Sequence, residues 1–140
     1  MIHLIVSAAA AVILAAGAPA DPFAGVNRDQ FEGLAHDSFA AWSYGWDSVK
    51  ANGSVRTLVA QTIYDTPTPF NGNPTPVVYS LHTVAIDCAA KTITFINGAN
   101  YTAGGTVITL ANPSGPTPWS AGTQGLQDFS AQICAVDWSK

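Results

Sequence analysis

The spacing of hydrophobic positions changes along the chain from a helical to an alternating pattern near residue 43. In residues 21–41, Asn27 and Gln30 resemble an N-terminal capping arrangement. The apolar residues that follow share one helical face: Phe31, Leu34, Ala35, Phe39 and Trp42. Gly33 weakens this pattern by its low helix propensity. The spacing predicts a short helix within residues 21–41.

Alternation of apolar and polar residues then predicts a series of strands. They are expected over residues 43–49, 54–64, 77–87, 91–97 and 106–111. Asn52-Gly53 is a dipeptide typical of tight hairpin turns, and Gly104-Gly105 indicates a second turn. Two proline-rich stretches, residues 65–76 and 112–118, are predicted to be loops because proline interrupts strand pairing.

A C-terminal helix is predicted by Leu126, Phe129, Ile133 and Cys134, which lie on one helical face. The order of elements predicts an α+β fold. It comprises a small antiparallel sheet of five to six strands in a meander, with the C-terminal helix packed on one face.

The first 20 residues have the features of an export signal. Residues 4–16 form an uncharged apolar run, and Ala18-Pro19-Ala20 supplies the small-residue pattern of a cleavage site. The mature chain is expected to be a single exported domain, residues 21–140, that is periplasmic or secreted. No cysteine follows the cleavage site closely, so we expect no N-terminal lipid anchor.

Composition and charge exclude several classes of protein. Hydrophobic residues make up 48% of the chain and charged residues 10%, which favours β-structure over a charged helical bundle or disorder. The net charge is −4 and the five basic residues are scattered, which argues against nucleic-acid binding. No second apolar segment is long enough to span a membrane.

Cys88 and Cys134 are the two cysteines of the chain. Export would place them in an oxidising compartment, where they are expected to pair and to join the C-terminal helix to the sheet. Their spacing is unlike a Cys-x-x-Cys motif, so redox catalysis and zinc binding are disfavoured. We expect no metal and no cofactor.

The residues that could support catalysis form no recognisable set. His36-Asp37-Ser38 has the residue types of a hydrolase triad, but consecutive side chains point in different directions, so a polar helix face is the favoured interpretation. His82 is a single histidine inside a predicted strand. The expectation is a protein that is not an enzyme.

Alternating aromatic residues are the candidate binding surface. Trp42, Tyr44 and Trp46 would project to the same side of a strand. They could form an exposed strip that binds a sugar or a partner protein. Alternatively, they could be core residues beneath the C-terminal helix, and this second interpretation is favoured because large aromatic residues are common in cores. Phe70 and Asn71, in the predicted loop 65–76, are further candidate contact residues.

The order of several short motifs over residues 44–135 resembles the bacterial surface-adhesin protein E family. The motifs are Asp47-Ser48, Ile86-Asp87-Cys88 with Lys91-Thr92, Tyr101 with Gly104-Gly105-Thr106-Val107-Ile108, Trp119 and Ile133-Cys134. The resemblance implies an antiparallel sheet joined to a helix by a disulfide. It also implies an envelope protein that binds other proteins and can dimerise.

These observations predict a module for protein–protein or surface interaction, which contacts its partner through a sheet face or an exposed edge strand. The loops at residues 65–76 and 112–118 would flank that contact, and the partner would be an envelope or extracellular protein or a second copy of the chain. The alternative is a domain that binds a small ligand or carbohydrate through the aromatic strip.

Overall fold

The structure is a computed structural model and describes residues 19–70 and 72–138. In these ranges the chain forms eight strands and one α-helix. They are β1 (Phe31–His36), β2 (Ala40–Gly45), β3 (Lys50–Asn52), β4 (Val55–Pro69), β5 (Pro76–Asp87), β6 (Thr92–Tyr101), β7 (Val107–Ala111), β8 (Ser114–Pro118) and α1 (Gln124–Ala135). The predicted export signal lies outside the described residues except for Pro19 and Ala20.

All strands belong to one antiparallel sheet. Its main path runs β1-β2-β4-β5-β6-β7, while β3 pairs with β4 and β8 pairs with β6. Gly53, with φ of 59°, makes the predicted turn between β3 and β4. The predicted fold class is therefore confirmed, with six strands on the main path and two short strands beside it.

The helix predicted within residues 21–41 is wrong. Residues Arg28–Gln30 form one 3₁₀ turn, and the chain then enters β1 and β2. The pairing of β1 with β2 is irregular between Gly33 and Ala35, which is a β-bulge. A bulge inserts one residue into the alternation, so Leu34 and Ala35 both pack against the same core and imitate helical spacing.

The prediction that residues 65–76 and 112–118 are loops is also wrong, because both stretches are largely strand. β4 continues to Pro69 and β5 begins at Pro76, with an irregular stretch between Ile63 and Thr68 that accommodates Pro67. Only residues 70–75 connect the two strands. The stretch 112–118 contributes β8, whose Thr117 pairs with Ile93 at the side of β6.

The two faces of the sheet have separate hydrophobic cores. On one face, α1 buries Phe129 and Ile133 against strand residues such as Leu58 and Val84. The disulfide predicted between Cys88 and Cys134 is present, with a Cα–Cα distance of 5.6 Å. It joins the residue after β5 to the last turn of α1, so the helix is covalently held on the sheet.

The segment before β1 covers the opposite face. Phe23 is buried there with Leu81, Ala99 and Tyr101. The Tyr101 hydroxyl donates to Asp21 at 2.6 Å. Both faces of the sheet are thus partly covered.

Candidate functional site

The predicted aromatic strip does not form a continuous exposed surface. Trp42 and Tyr44 are each only 6% exposed and belong to the core that Phe129 and Leu126 help to form. Trp46 is 53% exposed because β2 ends at Gly45 and a 3₁₀ turn follows. The change of backbone at Gly45 therefore separates Trp46 from the other two rings.

A cavity of about 430 Å³ lies beside the start of α1, on the same face of the sheet as the helix. We call it the ring-lined cavity. Its apolar walls come from Phe39, Trp42, Tyr64, Phe95 and Leu126. Its polar lining includes Thr62, His82, Ser114 and Thr123. The long strands β4 and β5 form its floor, and β8 and the residues before α1 form its rim.

At one side of the cavity, the ring of Tyr64 contacts two other aromatic rings. The ring of Tyr64 lies 5.7 Å from that of Phe39 and 5.3 Å from that of Phe70, in edge-to-face geometry at both contacts. Phe70, a candidate from the sequence, is thereby brought next to the cavity wall. Asn71, the other candidate in that segment, lies outside the described residues.

Trp42 reaches the cavity because the second residue of α1, next to the indole ring, is a glycine. A Cβ atom built on Gly125 would lie 2.1 Å from Cζ3 of Trp42, closer than atoms can approach. Glycine at this position therefore lets the first turn of α1 pack directly on the indole. The same close approach sets the distance between the helix and the sheet.

Asp37 fixes the start of α1 relative to the β1–β2 turn. Its carboxylate accepts hydrogen bonds from the backbone N–H groups of Gly125 (2.8 Å), Phe39 (2.7 Å) and Ala40 (3.1 Å). Desolvation acts to raise the pKa of this carboxyl, but these bonds and one from the Thr123 side chain together lower it. Asp37 thus binds the positive end of the helix dipole.

His82 lies in the wall of the cavity, against the ring of Phe95 at 5.0 Å. Burial lowers its pKa to about 4, because the surroundings disfavour the charged form. The imidazole is therefore neutral at pH 7, with one nitrogen that donates and one that accepts. No described residue forms a hydrogen bond with the ring.

A chain of hydrogen bonds runs beneath the cavity from β4 to β7. The Ser80 hydroxyl donates to the side-chain oxygen of Asn100 at 2.6 Å, and the Asn100 amide donates to Thr109 at 2.9 Å. Since the Ser80 proton is used in this way, Tyr64 donates its own proton to Ser80 across 3.0 Å. Tyr64 is left with an oxygen that can accept.

The consecutive residues at 36–38 are divided between structural roles. His36 Nε2 lies 3.0 Å from Asp65 on β4, and both side chains are substantially exposed. Asp37 holds the helix start as described. Within residues 19–70 and 72–138, no group of three histidine, cysteine or acidic side chains could hold a metal ion. No described helix is long and apolar enough to cross a membrane.

The cavity includes residues that sequence reasoning did not select, above all His82, Tyr64 and Thr62. Strict alternation along β4 and β5 places Thr62 and Tyr64 on one face with Ser80 and His82 of the neighbouring strand. That signal was present in the chain. The irregular pairing beyond Ile63, which lets Phe70 pack on Tyr64, has no comparable sequence signal.

Comparison with known proteins leaves the family open. No protein-family model matches the chain, and no curated protein matches it.

Proposed function

We propose that the protein is an exported, non-enzymatic binding protein whose ligand site is the ring-lined cavity. The observation that carries the proposal is the composition of that cavity. Aromatic side chains and Leu126 form its walls, and the imidazole of His82, which has no hydrogen bond to a described residue, is a polar group in that lining. Binding sites for small molecules are typically concave, mostly apolar and marked by few polar groups.

The size and support of the cavity favour this proposal. Its volume of about 430 Å³ lies within the range of roughly 300–1,000 Å³ that is common for small-molecule sites. Trp42, Tyr64, His82 and Phe95 project from paired strands, and the disulfide keeps α1 on the same face. A site built on such elements needs little ordering when a ligand binds, which reduces the entropic cost.

The disulfide between Cys88 and Cys134 also supports export, because such bonds persist in oxidising compartments. The predicted cleavage after Ala20 agrees with this inference, since it would leave Asp21 as the first residue of the segment that covers the second face. Periplasmic and secreted locations are equally compatible with both observations.

The test fills the cavity with a large side chain. Ser114 is an exposed rim residue on β8, and Ser114→Trp would place an indole across the cavity mouth. Thr117→Trp is the matched control, because Thr117 is exposed on the same strand and does not line the cavity. Saturation-transfer NMR with a mixture of small uncharged organic compounds should show binding to the wild type and to Thr117→Trp.

Loss of that signal in Ser114→Trp, with an unchanged melting temperature, is the expected result. Equal binding by all three proteins would place the contact elsewhere and contradict the proposal. The absence of any binding to the wild type at millimolar concentrations would also contradict it.

A second candidate function, interaction with a partner protein, is favoured by one different observation. β7 is an end strand of the sheet path, and its sequence, Val-Ile-Thr-Leu-Ala, contains no charge and no proline. Leu110 on this strand is 49% exposed. Open edges without charged residues pair readily with a strand of another chain, which could be a second copy.

Leu110→Lys would place a charge on this edge and should weaken such pairing. Ile63→Lys is the control, because Ile63 is 43% exposed on β4, which is an interior strand. Light scattering after size exclusion and capture of envelope proteins would measure the effect. A wild-type dimer or complex that Leu110→Lys alone disrupts would support the edge contact, and equal behaviour of both variants would reject it.

A further inference from the structure

We infer that the ring-lined cavity selects an uncharged aromatic compound that carries one hydroxyl or N–H group, as in a phenol or an indole. This inference rests on the proposed function and narrows its ligand class. Three properties of the cavity lead to it: the absence of charge in its lining, the position of its polar atoms, and the orientation of its rings.

The lining disfavours charged ligands. None of the described residues that line the cavity is Asp, Glu, Lys or Arg, and the imidazole of His82 is neutral at pH 7. An ion that enters an apolar site without a partner loses its hydration with no compensation. One negative charge lies beside the rim, since the carboxylate of Asp37 bonds to the side chain of Thr123 and to the N–H of Gly125. An anionic ligand would therefore meet repulsion as well as desolvation.

The polar atoms match a single hydroxyl or N–H group. The His82 ring has no hydrogen bond to any described residue, so its unprotonated nitrogen can accept one hydrogen bond from a ligand. Tyr64 donates to Ser80, so its oxygen can accept but its proton is already used. A ligand with one donor would satisfy either group, whereas a ligand with no polar atom would bury the imidazole nitrogen without giving it a hydrogen bond.

The rings favour an aromatic ligand over an aliphatic one. Tyr64 contacts both Phe39 and Phe70 edge to face, and Phe95 contacts His82 in the same way, at an interplanar angle of 76°. A further ring among them would extend this pattern of edges against faces, which stabilises aromatic pairs beyond the area they bury. A saturated ring of the same size would gain the burial alone.

The experiment compares three probes on the oxidised mature protein at pH 7, with affinities measured by NMR titration. Phenol has the ring and the hydroxyl, cyclohexanol has the hydroxyl without the aromatic ring, and benzoate has the ring with a negative charge. Phenol should bind about tenfold more tightly than cyclohexanol, because only an aromatic ring gains the edge-to-face contacts. It should also bind about tenfold more tightly than benzoate, because the benzoate charge would lose its hydration without gaining a partner.

His82→Phe supplies a second test, because it keeps a ring against Phe95 and removes the nitrogens. This variant should bind phenol about fivefold to tenfold more weakly than the wild type, the effect of one lost hydrogen bond. The wild-type probe series stands by itself if the variant does not fold.

The failures of the inference and of the proposed function are distinguishable. If cyclohexanol binds with the same affinity as phenol, or if benzoate has the highest affinity of the three, the cavity binds ligands but the inferred ligand class is wrong. If His82→Phe folds and binds phenol as the wild type does, the role of the imidazole is wrong. If none of the three probes causes shifts at the cavity and the uncharged mixture also fails, both proposals fall together.

Discussion

At the scale of single residues, the cavity depends on close approaches that only glycine allows. Gly98 on β6 lies directly opposite His82 on β5, and a Cβ atom at Gly98 would lie 2.3 Å from Cδ2 of the imidazole. The same atom would lie 3.0 Å from Cβ of Ala111 on β7. Gly98 thus provides the space that the His82 ring occupies above β6.

We predict that Gly98→Ala destabilises the protein by about 2 kcal/mol, because an overpacked core must shift side chains or backbone. Chemical denaturation of both proteins measures the difference. Gly115→Ala on β8 is the control, since its Cβ would meet no atom within 4 Å. Equal stability of the Gly98 variant and the wild type would show that the imidazole occupies another position.

His82 also predicts how stability changes with pH. Its pKa is lowered from 6.5 to about 4 in the folded protein, so below pH 6.5 the unfolded chain binds a proton that the folded chain does not. The free energy of unfolding therefore keeps its full value above pH 6.5. It falls as the pH decreases toward 4, by up to about 3 kcal/mol.

Denaturation curves at pH 7, 5.5 and 4.5 measure this slope, and His82→Phe should remove most of it. The carboxyls of Asp37 and Asp87 do not imitate the effect, because their pKa values are lowered from 3.8 and their contributions are lost at more acidic pH. An unchanged slope in His82→Phe would contradict the assignment.

At the scale of elements, the position of α1 rests on a contact at each end. Asp37 and the Trp42–Gly125 contact hold its start, and the disulfide holds its last turn. Ser130 and Ile133, both fully buried, face the sheet between these ends. These contacts hold α1 on the sheet and thereby fix the position of the cavity rim that precedes the helix.

Removal of the disulfide should loosen this arrangement. We predict that Cys88→Ala/Cys134→Ala lowers the free energy of unfolding by about 4 kcal/mol, the value expected for closing a loop of this length. The loss should appear equally on reduction of the wild type, as measured by thermal unfolding with and without reductant. A double variant as stable as the oxidised wild type would contradict a structural role.

The elements that the sequence predicted well are those with uninterrupted periodicity. β5 was predicted within one residue of its observed start, and the four residues that predicted the C-terminal helix all lie in α1, because each element has one long apolar pattern. β1 was predicted as helix because the bulge after Gly33 imitates helical spacing. The strand ends at Pro69 and Pro76 were predicted as loop, because proline usually interrupts strand pairing. The sequence does not show that these two prolines lie opposite each other at the end of a hairpin.

The candidate site was harder to predict than the fold for a physical reason. Trp42 was selected as part of the aromatic strip and Phe70 as a residue of the predicted loop 65–76. Trp42 lies in the cavity wall, and Phe70 lies next to it. Tyr44 is instead buried with its hydroxyl 3.2 Å from Glu32. A concave surface arises from the distance between α1 and the sheet, which depends on contacts between residues far apart in the chain.

At the scale of the whole molecule, the segment before β1 covers the face that α1 leaves open. Arg28 lies over the rings of Tyr101 and Tyr79, at 4.8 and 5.2 Å from their centroids, and the two rings stack at 4.8 Å. Its guanidinium also donates to the Tyr79 hydroxyl and lies 3.7 Å from Asp21. One cation thereby joins the segment to β5 and β6.

We predict that Arg28→Ala destabilises the protein by about 1 kcal/mol through loss of the cation–π contacts. It should also expose the amides of residues 21–27 to faster hydrogen exchange, which NMR measures directly. Lys50→Ala removes one positive charge from an exposed position on β3 and serves as the control. Unchanged exchange in the Arg28 variant would show that Phe23 alone holds the segment.

The most direct test of the central claim is a crystal structure of the oxidised mature protein grown with phenol. We expect one phenol ring bound in the ring-lined cavity, between Tyr64, His82 and Leu126, with its hydroxyl within hydrogen-bond distance of the imidazole. An empty cavity closed by Phe39 or Leu126, or phenol bound only at another surface, would contradict it.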